Sequence, residues 1–181
     1  MPENQKPPSW MIEKVKQYED AANRHDIALI GSLVDEDVFL EIFGQITLKG
    51  RKQIQALHEY DAAINTRISL YDFAVERNVV SCRNMEKNDW LSKAGIDQID
   101  YSRTEFMFNQ DGLIRGFSGS LEPSSADAMG QVLASFTVWA AAHRPEKFSQ
   151  LFDVDGSFVY KRESGVRVLI LLDEWRASGG G

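Results

Sequence analysis

The chain is short of the residue types that carry most covalent and metal chemistry. It has one cysteine, Cys82, in 181 residues. That excludes an internal disulfide and a thiolate zinc cage, and it makes a reducing, cytoplasmic setting the expectation. The three histidines, His25, His58 and His143, fall on different predicted elements with no HxH or HExxH spacing. No metal and no other cofactor are therefore expected. Basic residues are outnumbered 20 to 27, leaving a net charge of −7. A nucleic-acid surface would need clustered Lys and Arg, so nucleic acid is not an expected partner. No apolar run approaches the ~20 residues that cross a bilayer, so no membrane partner is expected either. The opening MPENQKPPSW lacks the apolar stretch of a signal peptide and reads as a disordered lead-in over residues 1–9.

What is present, 43% hydrophobic and 26% charged residues, suits one well-buried core. From Trp10, the residues Ile12, Val15, Tyr18 and Ala22 recur at helical spacing. A shorter helix follows with Ile27, Ile30, Leu33 and Val34 on one side, then an acidic corner, Asp35 to Asp37, and a strand VFLEIFG. A third helix carries Ile54, Leu57, Tyr60 or Asp61, and Ile64. Long alternating runs come next, RISLYDFAVER, VVSCRNMEKN, IDQIDYSRTEFMFN and IRGFSGSLE, with Asp111-Gly112 as a hairpin turn between the last two. Helices followed by antiparallel strands predict an α+β fold, a curved sheet wrapped around helices, with a small-molecule pocket at its open end. The sheet domain is expected over residues 10–122 and a C-terminal helical extension over 123–176. The terminal ASGGG reads as a linker or cloning scar over 177–181.

Three stretches, Tyr18, then HDIALIGSLVDEDVFLEIFGQITLKGRKQI, then TEFMFNQDGLIRGF, resemble the NTF2-like superfamily and within it the SnoaL-like and ketosteroid isomerase-like branch. The resemblance implies an NTF2-like cone, an apolar small-molecule ligand and a homodimer. It also implies residue roles. Tyr18, eight residues before Asp26, stands where that branch keeps a catalytic tyrosine, and Glu41, two before Phe43, where it keeps a catalytic carboxylate. His58 stands where a residue supports the tyrosine. The position of a second oxyanion donor, an acid in that branch, is Thr104 here.

The chemistry these groups would do is proton abstraction next to a carbonyl by Glu41, with Tyr18 stabilising the enolate oxygen. Ketosteroid isomerase is a standard example of this logic. Isomerisation, cyclisation and dehydration all use the same two groups. Strand alternation puts Phe39 on the face of Glu41, and Ser102, Thr104, Phe106, Phe108 and Phe117 on the inner wall of the cone. Trp90 and Leu91 sit exposed on a loop that folds over the pocket or meets a partner subunit. A competing reading needs no catalysis. Glu41 would then be paired with Arg83 or Arg103, and the cone would be a binding or assembly module filled by its own side chains, including Leu169, Leu172 and Trp175.

Overall fold

The computed structural model describes residues 9–42, 44 and 46–180. Of the expected lead-in over residues 1–9, Ser9 is the first residue of a helix, and residues 1–8, together with Phe43, Gln45 and Gly181, lie outside the described residues.

The first helix, α1 (Ser9–Arg24), buries Met11, Val15, Tyr18, Ala21 and Ala22 on one stripe, the spacing that turns every buried side chain to one side. Helix α2 (Ile27–Leu33) starts at Asp26, whose carboxylate accepts from the Leu29 amide at 3.0 Å, satisfying one of the free amides of a helix start. Strand β1 (Val34–Ile42) begins at once, so the acidic trio Asp35 to Asp37 lies within the strand and not in a corner. A short strand β2 (Ile46–Lys49) and Gly50, at φ 86, lead into α3 (Arg51–Ala63). Strands β3 (Arg67–Glu76) and β4 (Val79–Lys87) follow, then a short helix α4 (Asp89–Ala94), then β5 (Ile99–Phe108) and β6 (Ile114–Leu121).

The strands form one sheet in the order β2-β1-β6-β5-β4-β3. It is antiparallel except where β1 runs parallel to β6, so the expected curved sheet is mixed at one pairing. The β3 edge is closed by α1. Asn23 donates to the Ile68 carbonyl at 2.9 Å and accepts from its amide at 2.8 Å, while Glu19 accepts from the Leu70 amide at 2.9 Å. Side chains thus cover an edge that would otherwise offer free backbone groups.

Two apolar clusters result. One lies between α1, α2, α3 and the inner sheet face, around Val15, Ile30, Ile54 and Phe106. The other is built by the C-terminal helices α5 (Pro123–His143), α6 (Pro145–Ser149) and α7 (Arg162–Ala177) with α4, around Leu91, Phe136, Leu171 and Trp175. Trp90 and Leu91 are therefore not exposed on a loop. They are buried, 7% and 1% exposed, in a helical turn against α7. Ion pairs from Lys93 to Asp173 and from Arg144 and Lys147 to Glu174 decorate these contacts. Each is surface-exposed and worth about 0–1 kcal/mol. Burial of a Trp or Leu, at about 2–3 kcal/mol each, dominates the attachment of the extension.

Candidate active site

The two clusters meet around a cavity of about 630 Å³, walled by the inner face of the sheet, α1, α3 and the C-terminal helices. The extension roofs it and does not fill it. Met129 and Phe136 of α5, Leu151 and Phe158 of the following segment, and Val168 of α7 form that roof. Lining residues that are also exposed, Glu41, Gly44, Leu133 and Thr137, mark the mouth between the end of β1 and the middle of α5.

Phe39 and Glu41 share a face of β1, as alternation requires, but that face is not the cavity wall. Val38 and Leu40 are the buried, inward residues of β1, so Phe39 and Glu41 turn to the outer face of the sheet. The Phe39 ring lies so close to Gly116 that a Cβ there would stand 2.5 Å from it. Glu41, opposite Thr47 and Ser118, is exposed and reaches only the rim of the cavity. The expected pairings are absent too, since Arg83 binds Glu122 and Arg103 binds Glu105.

Ser102 is likewise displaced. Along β5, Tyr101 pairs with Leu121 but Arg103 with Ser120, and Thr104 pairs with Cys82 but Tyr101 with Asn84. That mismatch is a β-bulge, which inserts a residue and reverses the facing of everything before it. Ser102 is therefore outside, its hydroxyl donating to the Ser120 carbonyl, and Tyr101 takes the inward place. Past the bulge the inner wall is Thr104, Phe106 and Phe108, with Phe117 across on β6. Trp90, Thr104, Phe106 and Phe117 line the cavity.

Tyr18 and His58 meet within it. The Tyr18 hydroxyl is 2.8 Å from His58 Nε2, and both residues are buried. On the other side of the ring, His58 Nδ1 stands 3.4 Å from Asp61 Oδ2, longer than an ordinary hydrogen bond. Asp61 also accepts from the Thr66 hydroxyl at 3.3 Å. One turn of α3 sets this pair, since residues three apart share a helix face. The Asp61 side chain is 21% exposed and lines the cavity.

A second carboxylate, Glu86, comes from β4. Its Oε1 accepts from Asn88 Nδ2 at 2.9 Å and its Oε2 from the Tyr101 hydroxyl at 3.2 Å. Asn88 is held by its own role as N-cap of α4, where Oδ1 accepts from the Leu91 amide. Two buried polar atoms on the same wall, Asn84 Oδ1 and Thr104 Oγ1, have no hydrogen-bond partner.

Burial governs the charges. It raises the carboxyl of Asp61 well above its usual range, helped by the nearby Glu86, and it raises Glu86 as well, against the bonds from Tyr101 and Asn88. It lowers His58 from 6.5 to about 4, so the imidazole is neutral near pH 7. The Tyr18 phenol is pushed far up by burial and by Asp61, and remains a hydrogen-bond donor. The site thus sets two raised carboxyl groups, a neutral imidazole and phenol donors in an apolar, aromatic box.

Asp61, Glu86, Asn84 and Tyr101 were missed from the sequence, although two carried a signal. Asp61 shares the helical stripe of Ile54, Leu57 and Ile64, and Glu86 the strand face of Val80 and Cys82. A carboxylate in phase with buried residues is a stronger cue than one inside an apolar run.

No family model and no curated protein matches the sequence. Solved structures do share the fold. The epoxide hydrolase/cyclase-like enzyme SalBIII, connected with pyran ring formation in the polyether salinomycin, superposes with a TM-score of 0.56 at 13% identity, over 65% of this chain and 94% of its own. An LEH-like epoxide hydrolase of M. tuberculosis gives 0.55 at 13%, over 71% and 95%. An NTF2-like protein of unknown function from Cytophaga hutchinsonii gives 0.53 at 11%, over 65% and 94%. The chain has an NTF2-like fold of the α+β class. Its neighbours are nearly spanned by the alignment while about a third of this chain lies beyond it.

Proposed function

We propose that this chain is a cofactor-independent acid–base enzyme of the isomerase or cyclase type, acting on an apolar small molecule that bears a carbonyl or similar oxygen. The observation that carries the reading is the convergence of Asp61, His58 and Tyr18 in one line on an apolar-walled cavity, with Glu86 on the same wall. A protonated Asp61 gives its proton to His58 Nδ1, His58 Nε2–H donates to the Tyr18 oxygen, and the Tyr18 hydroxyl hydrogen is left free for the ligand. Passing one proton along this line leaves Asp61 ionised, His58 neutral in its other tautomer, Tyr18 restored and the ligand oxygen protonated. Glu86 is the group placed to take a proton from the ligand in exchange. Raised carboxyl groups suit this work because an acid or base is most effective with a pKa near the working pH. The role first expected for Glu41 passes in this reading to the buried pair, while Tyr18 keeps its role as donor to the developing oxyanion.

The test is fluorescence titration with a planar naphthol, a dienolate mimic. Tyr18→Phe is expected to weaken binding by about tenfold or more, the value of a buried charge-assisted hydrogen bond. Glu86→Gln is expected to tighten it by removing repulsion toward a naphtholate, and Glu41→Gln, at the rim, to leave it unchanged. Equal binding in wild type, Tyr18→Phe and Glu86→Gln would remove the enzyme reading and leave a carrier. A homodimer, implied by the resemblance, belongs to the same proposal, with the outer sheet face of Arg103, Glu105 and Met107 as its contact. So does a reducing, cytoplasmic setting for the buried Cys82.

A further inference from the structure

Glu86 and Asp61 are two half-buried acids without a cationic partner. Among the described residues that line the cavity there is no lysine or arginine, and the one histidine there, His58, is held neutral. Every hydrogen bond that Glu86 and Asp61 accept comes from a neutral donor, Asn88, Tyr101 or Thr66. Two carboxyl groups with no cation beside them are costly to ionise, and burial raises both. Beside them Asn84, 8% exposed, lines the cavity with its amide oxygen lacking any donor. Aromatic faces from Tyr60, Tyr101, Trp90, Phe158 and Tyr160 complete the enclosure. At the mouth the exposed Glu41 adds another acid.

A wall of carboxyl and amide acceptors and π faces with no cation of its own is complementary to one kind of ligand. We propose that the ligand of this cavity carries a basic nitrogen, bound as an ammonium ion by Glu86 and Asn84 among the aromatic rings. This rests on the acid–base reading of the same site and names its substrate class, an apolar amine that also bears the oxygen addressed by Tyr18. The ammonium forms a carboxylate–ammonium pair with Glu86, and any proton that Glu86 holds before binding leaves for solvent. Ring faces around a desolvated ammonium strengthen the pair. The proton that Glu86 takes up during turnover is then one carried by nitrogen. The titratable groups that face Glu86 are Asp61 and the phenols of Tyr60, Tyr101 and Tyr160, and the phenols stay neutral across the working range.

The probes are 1-aminoadamantane and its neutral counterpart 1-adamantanol, titrated calorimetrically into the full chain at pH 8 in two buffers of different ionisation enthalpy. The amine is expected to bind at least about tenfold more tightly than the alcohol, about 1.4 kcal/mol, the difference in heat between the two buffers counting any proton released. Glu86→Gln is expected to bring the amine to the level of the alcohol. An alcohol that binds as well as the amine to the wild type overturns the proposal without any variant. So does an amine preference that persists in a folded Glu86→Gln. Failure here with the naphthol result intact removes the amine and keeps the enzyme. Failure of the naphthol series with the amine preference intact does the reverse.

Discussion

At the scale of single residues, position relative to water outweighs residue type. Glu41 sits inside an apolar run yet ends on the outer face, while Asp61 and Glu86 in charged surroundings of sequence end in the interior. Their titration has consequences for stability that differ in sign. His58 binds its proton less well folded than unfolded, between about 4 and 6.5. Its contribution is therefore present above pH 6.5 and is lost as the pH falls toward 4, by on the order of 3 kcal/mol. Glu86 is raised by burial, so its neutral form stabilises the fold at low pH and that stability is lost as pH rises through the folded value. Urea midpoints across pH 4–9 are expected to show both limbs. Glu86→Gln should flatten the alkaline limb and unfold later than wild type at high pH, at the expense of binding, which is the usual trade between stability and a strained site. An unchanged alkaline limb in Glu86→Gln would mean that this carboxyl ionises freely in the folded state.

Among the elements, the contact of α7 with α3 decides how the extension sits. A Cβ on Gly165 would stand 2.7 Å from that of Ala63 and 3.0 Å from the Tyr60 carbonyl. Glycine inside a helix ordinarily costs about 1 kcal/mol relative to alanine. Here the close approach reverses the sign. Gly165→Ala is expected to lower stability by about 1–2 kcal/mol net, since overpacking costs about 1–3 kcal/mol. Gly130 in α5 has open space around it, and Gly130→Ala is expected to gain about 0.5–1 kcal/mol. Denaturant unfolding of the two variants checks both signs. The bulge in β5 works at the same scale, since one inserted residue exchanges Ser102 for Tyr101 on the cavity wall.

For the whole molecule, the extension turns an open cone into a roofed chamber. Its longest helix, α5, carries a single formal charge, Asp127, in 21 residues. Its Leu133 and Thr137, like Glu41 and Gly44, line the cavity and are exposed at its mouth. No helix among the described residues is long and apolar enough to cross a membrane. The roof makes passage through this gap a condition of binding. Leu133→Trp is expected to slow association of the naphthol several-fold in stopped flow while leaving the denaturation midpoint within about 0.5 kcal/mol of wild type, as for other surface substitutions. Unaltered association would place the route elsewhere.

The helical stripes, the five long strands of the sheet, the Asp111-Gly112 hairpin and the place of Tyr18 were legible in the sequence because each depends on a period set by local backbone geometry. The short β2 and α4 were not, being too brief to show a period. Nor was the facing of Phe39, Glu41 and Ser102, because strand alternation says which residues share a face but not which face meets the core, and a bulge resets the count. Sequence by itself determined an α+β cone with a tyrosine inside it. Only the tertiary structure brought Asp61 from a helix and Glu86 from a strand to one chamber under the C-terminal roof. That meeting depends on pairing register and on packing between segments far apart in the chain, and burial there is what turns two ordinary carboxylates into raised acids.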